Sequence, residues 1–149
     1  MRPSRRWTDE TGSASLEFVT VGMLMLVPLV YLVLTVSSIQ AAAFAVEGAA
    51  RQAARVFVQS PDVRSGEQSA QRALDFALAD NGIDTPGSIA ISCQPRPREC
   101  LTRQGYVTVV VEVEVPLPLV PPVLGGDFPL AVPLRASATE QVSRFWGSG

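Results

Sequence analysis

Two thiols and 14 carboxylates make up the reactive inventory of this chain, because it contains no histidine and all 12 of its basic side chains are arginine. Without histidine the usual general base, the Ser-His and Cys-His nucleophile pairs and most zinc sites are excluded; without lysine so are the phosphate-loop lysine and Schiff-base chemistry. An enzyme built on carboxylates alone needs a positioned acid pair, and the nearest candidates, Glu112 and Glu114, alternate with valines on the wet side of a strand pattern. No catalytic residue, cofactor or metal ligand is therefore assigned, and the chain is read as non-enzymatic. The thiols, Cys93 and Cys100, enclose "QPRPRE". Two thiols with no further nitrogen or sulfur ligand cannot fill a tetrahedral metal shell, and a disulfide pinning a loop between two strands is expected in an oxidising compartment. With 149 residues and a net charge of -2, the chain has no basic footprint for nucleic acid and room for one modest domain.

The one carboxylate in an unusual place is Glu17, at the lip of a run that carries no further charge until Glu47. Phe18 to Val46 exceeds the roughly 20 apolar residues a helix needs to cross a bilayer. Helix formers continue past the most apolar part, so a single helix from Ser13 to about Phe57 is expected, with its membrane part at about 18–40 and a local bend at Pro28. Arg2, Arg5 and Arg6 precede it, which keeps the amino terminus in the cytoplasm and places residues 58–149 outside. Ala41, Ala42 and Ala43 would also suit a signal peptidase, the other way to read an apolar amino-terminal run. In the second half of the helix Ala41, Ala45, Ala49 and Ala53 recur every four residues, with Ala42, Ala50 and Ala54 beside them. This row either lets neighbouring helices approach closely or reflects an alanine-rich composition. Glu47, Arg51 and Arg55 form an i to i+4 series that solvates the helix.

Gly12 followed by Ser13, Ala14, Ser15, Leu16, Glu17 and Phe18 resembles the class III signal of type IV pilin-like proteins, and most closely that of the TadE family of the tight-adherence (Flp) pilus system. "VEGAARQAARVF", residues 46–57, is similar to that family's close of the long helix. The resemblance covers about the first 57 residues. It implies a cytoplasmic leader, residues 1–12, removed by a prepilin peptidase between Gly12 and Ser13, with the apolar helix retained on the mature protein. It also implies a minor pseudopilin in the cytoplasmic membrane or a surface pilus, with the major Flp pilin, a sister pseudopilin and the inner-membrane assembly platform as partners. In that setting the Glu17 carboxylate would pair with the new ammonium of Ser13, its own or a neighbour's, and set the register between packed helices. A carboxylate that only complements the helix dipole is the plainer alternative. So is a different function altogether: a single-pass anchored binding or sensing module whose helix is a tether.

Outside the membrane the pattern predicts a small α+β head. Pro61 breaks the first helix, and Ser65 with Gln68 reads as the capping box of a second, whose apolar face is Ala70, Ala73, Leu74, Ala77 and Leu78, with Asn81-Gly82 as its stop. "GSIAISC", "GYVTVVVEVEV" and about Leu130 to Val142 are the strands of an antiparallel sheet, with Val107, Val109, Val111, Val113 and Val115 facing the core. The proline-rich stretch 115–134 cannot be a central strand, and it either covers a sheet edge or offers an apolar patch. Phe145 and Trp146 close the chain and pack either on the head or on a neighbour.

Overall fold

The protein is α+β: a long amino-terminal helix α1 (Thr11–Val58), a second helix α2 (Val63–Asp80), and three strands, β1 (Ser88–Gln94), β2 (Tyr106–Pro116) and β3 (Ala131–Gln141). The computed structural model describes residues 11–118 and 131–147, with only the backbone described for 11–14. The leader up to residue 10 and most of the proline-rich stretch lie outside the described residues. The chain divides into two compact units at Val36, and Ser37–Gly149 is the second.

The first unit is made by apolar helix formers alone. From Leu16 to Val36 the large hydrophobic side chains are exposed, among them Phe18, Met23, Leu29 and Leu32. About 21 residues at 1.5 Å each rise roughly 31 Å, the thickness of a bilayer's hydrocarbon core. The helix is long and apolar enough to cross a membrane.

The second unit is built on an antiparallel sheet in the order β1-β2-β3. Registers are regular on both sides of the centre, with Cys93 opposite Val107 and Ser88 opposite Glu112 on one side, and Val109 opposite Ala138 and Glu112 opposite Arg135 on the other. The valine alternation read from β2 is borne out: Val107, Val109, Val111 and Val113 are buried, and Glu112 and Glu114 face solvent. Those valines share one core with Ala42, Ala45, Val46, Ala49, Ala50, Ala53, Ala54 and Phe57 of α1 and with Ala70, Leu74 and Leu78 of α2. The α1 positions recur at i, i+3, i+4 and i+7, an apolar helical stripe of the kind that seeks a core. Alanine at nearly all of them keeps the stripe thin.

Helix α2 begins differently from the sequence expectation. Its N-cap is Asp62, in extended conformation, and its Oδ1 accepts from the Ser65 backbone N–H at 2.9 Å. Ser65 is thus the third helical residue, and its hydroxyl donates back to the Asp62 carbonyl oxygen at 3.1 Å. A carboxylate next to Pro61 meets the free N–H groups one turn earlier than the Ser65–Gln68 pair would, so the helix starts there. The stop at Asn81-Gly82 is as expected. The Ile83 N–H donates to Leu78 O at 2.9 Å and the Gly82 N–H to Ala79 O at 3.0 Å, with Gly82 at φ +67°. These are the paired bonds of a Schellman motif, and buried Ile83 supplies its hydrophobic contact beside Leu78.

Candidate functional site

The candidate site is the apolar part of α1, together with what sits at its start. Gly12 and Ser13 lie on the backbone of α1's first turn, and Glu17, on its second, is exposed. The two threonine hydroxyls farther along the segment are satisfied locally. Thr20 Oγ1 donates to Leu16 O at 2.8 Å and Thr35 Oγ1 to Tyr31 O at 2.9 Å, each across one helical turn. Polar atoms tied to their own helix in this way carry little penalty in hydrocarbon. Pro28 lies inside the helix and has no N–H to offer the carbonyl of Leu24. Glu17 therefore stands apart as the segment's only carboxylate, at one end of a lipid-length apolar run.

The expected packing row divides. Ala41 is exposed, whereas Ala45, Ala49 and Ala53 are buried with Ala42, Ala50 and Ala54 in the core of the second unit. The close approach these alanines permit is used inside the chain's own head, and the large exposed residue on this part of α1 is Phe44. The second compact unit begins at Ser37, within α1. Arg51 and Glu47 pair on the helix surface as the spacing suggested.

In the head, Cys93 and Cys100 form a disulfide, with Cα atoms 5.0 Å apart. It ties Cys93, near the end of β1, to the β1–β2 connection, which opens on a cis Gln94–Pro95 peptide bond. Glu112 and Glu114 both lie on the exposed face of β2. Glu112 is bound to Arg135 across the sheet at 3.2 Å, and the Glu114 carbonyl accepts from the Thr85 hydroxyl at 2.6 Å. Both border an open groove lined by Thr85, Gly87, Pro133 and Leu134. No group of three or more His, Cys, Asp or Glu side chains suited to a metal occurs among the described residues.

The sequence left open what Trp146 packs on and did not mark Asp62 as a helix cap. Trp146 reaches the junction of the two helices, donating from Nε1 to Ser60 O at 3.2 Å, and its own carbonyl accepts from Arg103 Nε at 3.0 Å. The tail thus packs on the head through Trp146, leaving Phe145 largely exposed beneath the Arg144 guanidinium, 4.7 Å from the ring centroid. The Asp62 carboxyl is held below its ordinary value of 3.8, first by the backbone N–H of Ser65 and then by that residue's side chain. Only Asp62 carried a readable signal, an acid directly after a helix-breaking proline.

No protein-family model matches the chain, and comparison with curated proteins and with solved structures finds no match.

Proposed function

We propose that this chain is a TadE-like minor pseudopilin, a non-enzymatic, single-pass subunit that enters or primes a tight-adherence (Flp) pilus or a related secretion filament. The observation that supports this most is the build of α1: a glycine, an acid five residues on, and a lipid-length exposed apolar run, leading into a helix half whose alanine face belongs to a small disulfide-bonded head. In this reading a prepilin peptidase cuts between Gly12 and Ser13. The shortened helix stays in the cytoplasmic membrane with its amino terminus inward and the pilin-like head outside.

Glu17 then has work to do. At the interface an isolated carboxylate is tolerated, but when helices pack side by side away from water it requires a cation. The ammonium created at Ser13 is the nearest one the chain can supply. A pairing of that kind favours one axial offset between neighbours and disfavours the rest. The major pilin, a sister pseudopilin and the assembly platform are the partners that would read this offset.

The test is Glu17→Gln in cells making the complete pilus system, with the subunit followed in membrane and sheared-filament fractions. The proposal expects normal membrane levels with loss from, or loss of, the filament fraction. Unchanged filaments with unchanged subunit content would remove the register role. The open groove beside Thr85, Glu112 and Arg135 is the feature that favours the rival reading, a tethered binding module.

A further inference from the structure

A three-stranded sheet in the order β1-β2-β3 has two edges, and they are equipped differently. β3 carries Pro133, Arg135 and Glu140, a proline and charges of both signs, which are common means of keeping an edge from pairing. β1, "SIAISCQ", carries no charge and no proline, and its register with β2 runs without a bulge from Ser88 to Gln94. Gln71 Nε2 donates to Gly87 O at 3.4 Å just ahead of the strand. Outside the ladder with β2, no hydrogen bond among the described residues reaches the backbone of Ser88–Gln94. Alternate N–H and C=O groups along the strand therefore point away from the sheet without partners among the described residues. On the core face Ile89 and Ile91 are only partly buried, whereas Val109 and Val111, opposite them on β2, are fully covered.

An open edge of this kind has one chemical complement, another extended backbone. The geometry points to β1 of a second copy of this chain, paired antiparallel about a two-fold axis, so that two three-stranded sheets become one of six strands. Directly opposed residues in an antiparallel pair share a face, so the axis must pass through a residue and not between two. Centring it on Ile91 uses the whole strand. Ile91 then meets Ile91 of the second copy, Ala90 meets Ser92, Ile89 meets Cys93, and Ser88 meets Gln94. All core-facing positions stay on one side, and the half-covered isoleucines gain neighbours. A self-pairing strand is best served by neutrality, because symmetry sets each charge near its own copy. β1 meets that condition and β3, with Arg135 and Glu140, does not. This inference concerns the head alone and does not depend on the filament reading.

The register gives a charge-swap test on the exposed outer face, at Ala90 and Ser92, where folding is least disturbed. In the double variant A90K/S92K, like charges oppose each other at both Ala90–Ser92 contacts, and A90E/S92E does the same with the opposite sign. Full-length protein in detergent is studied by analytical ultracentrifugation, with amide exchange read at residues 88–94. Wild type is expected to show protection at 88–94 that rises with protein concentration. Each double variant should self-associate roughly tenfold more weakly or worse, and an equimolar mixture of the two should recover both association and protection. Exchange at 88–94 that is independent of concentration in wild type, or equal in wild type and both variants, overturns the proposal even if the membrane helices associate by themselves.

Discussion

Trp146 and Ser60 are 86 residues apart in sequence and joined by a hydrogen bond from the indole Nε1 to the Ser60 carbonyl oxygen. The acceptor sits where α1 has ended and α2 has not begun, among carbonyls that no helix satisfies. Ser60 is itself held there, its N–H donating to Phe57 O and its hydroxyl to Val56 O. The tail therefore staples the turn between the helices.

Trp146→Phe keeps most of the ring and removes the donor, and is expected to lower the stability of the head by about 1 kcal/mol. Trp146→Ala should cost more, about 2 kcal/mol, through lost packing as well. Urea unfolding of the detergent-solubilised protein, followed by tryptophan-independent circular dichroism, checks both. Equal stability of wild type and Trp146→Ala would show that the tail contributes nothing.

Three glycines separate close approach from empty space. A Cβ on Gly66 would sit 2.9 Å from Phe57 Cδ2 and 3.3 Å from Phe57 O, and one on Gly87 would sit 2.8 Å from Leu74 Cδ2. Phe57 and Leu74 are both fully buried and have little room to yield. Gly66→Ala and Gly87→Ala should each destabilise the head, by about 1–3 kcal/mol. Gly48, inside α1, meets nothing within 4 Å. Gly48→Ala should stabilise the helix by up to about 1 kcal/mol, and thermal unfolding of the three variants side by side shows whether the signs differ as expected.

The Asp62 cap gives a pH dependence of definite sign. Its carboxyl is lowered from 3.8 in the folded chain, so the unfolded chain takes up the proton first as the medium is acidified. The contribution is fully present above about 3.8, the unfolded value, and is lost as pH falls through the folded one. Asp62→Asn should retain the cap and flatten this part of the stability profile below that pH. Asp62→Ala should lower stability at neutral pH. Unfolding midpoints at a series of acidic pH values distinguish the three proteins.

Reduction of Cys93–Cys100 opens a short loop, and the loop-entropy gain it forfeits is less than the roughly 3 kcal/mol of a 15-residue closure. A Cys93→Ala/Cys100→Ala chain should therefore remain folded but less stable, with increased amide exchange in the connection to β2. Unaltered stability would mean that the bond constrains little in either state.

Much of the head was legible because its patterns are local. The β2 alternation, the α2 stop at Asn81-Gly82 and the cysteine pair each depend on residues close in sequence, and the structure bears them out. The start of α2 was misplaced because two capping signals lay within one turn, and Asp62, beside Pro61, captures the Ser65 N–H. What covers the alanine row was not legible at all. Spacing identifies a face that must approach something closely, but whether that is a sister helix or the chain's own sheet depends on contacts distant in sequence. The structure buries Ala45, Ala49 and Ala53 in the head's core and leaves Ala41 outside it. Trp146 belongs with these, since its acceptor is a backbone carbonyl that no side-chain pattern announces.

The proposed function stands most directly on the state of the amino terminus in the membrane. Intact-mass spectrometry of the full chain, purified from cells with and without a prepilin peptidase, measures it. The account predicts that the peptidase removes residues 1–12 and leaves Ser13 as the first residue, with Gly12→Leu remaining uncut. A chain that keeps its leader beside an active peptidase, or is cut near Ala41–Ala43 instead, contradicts it.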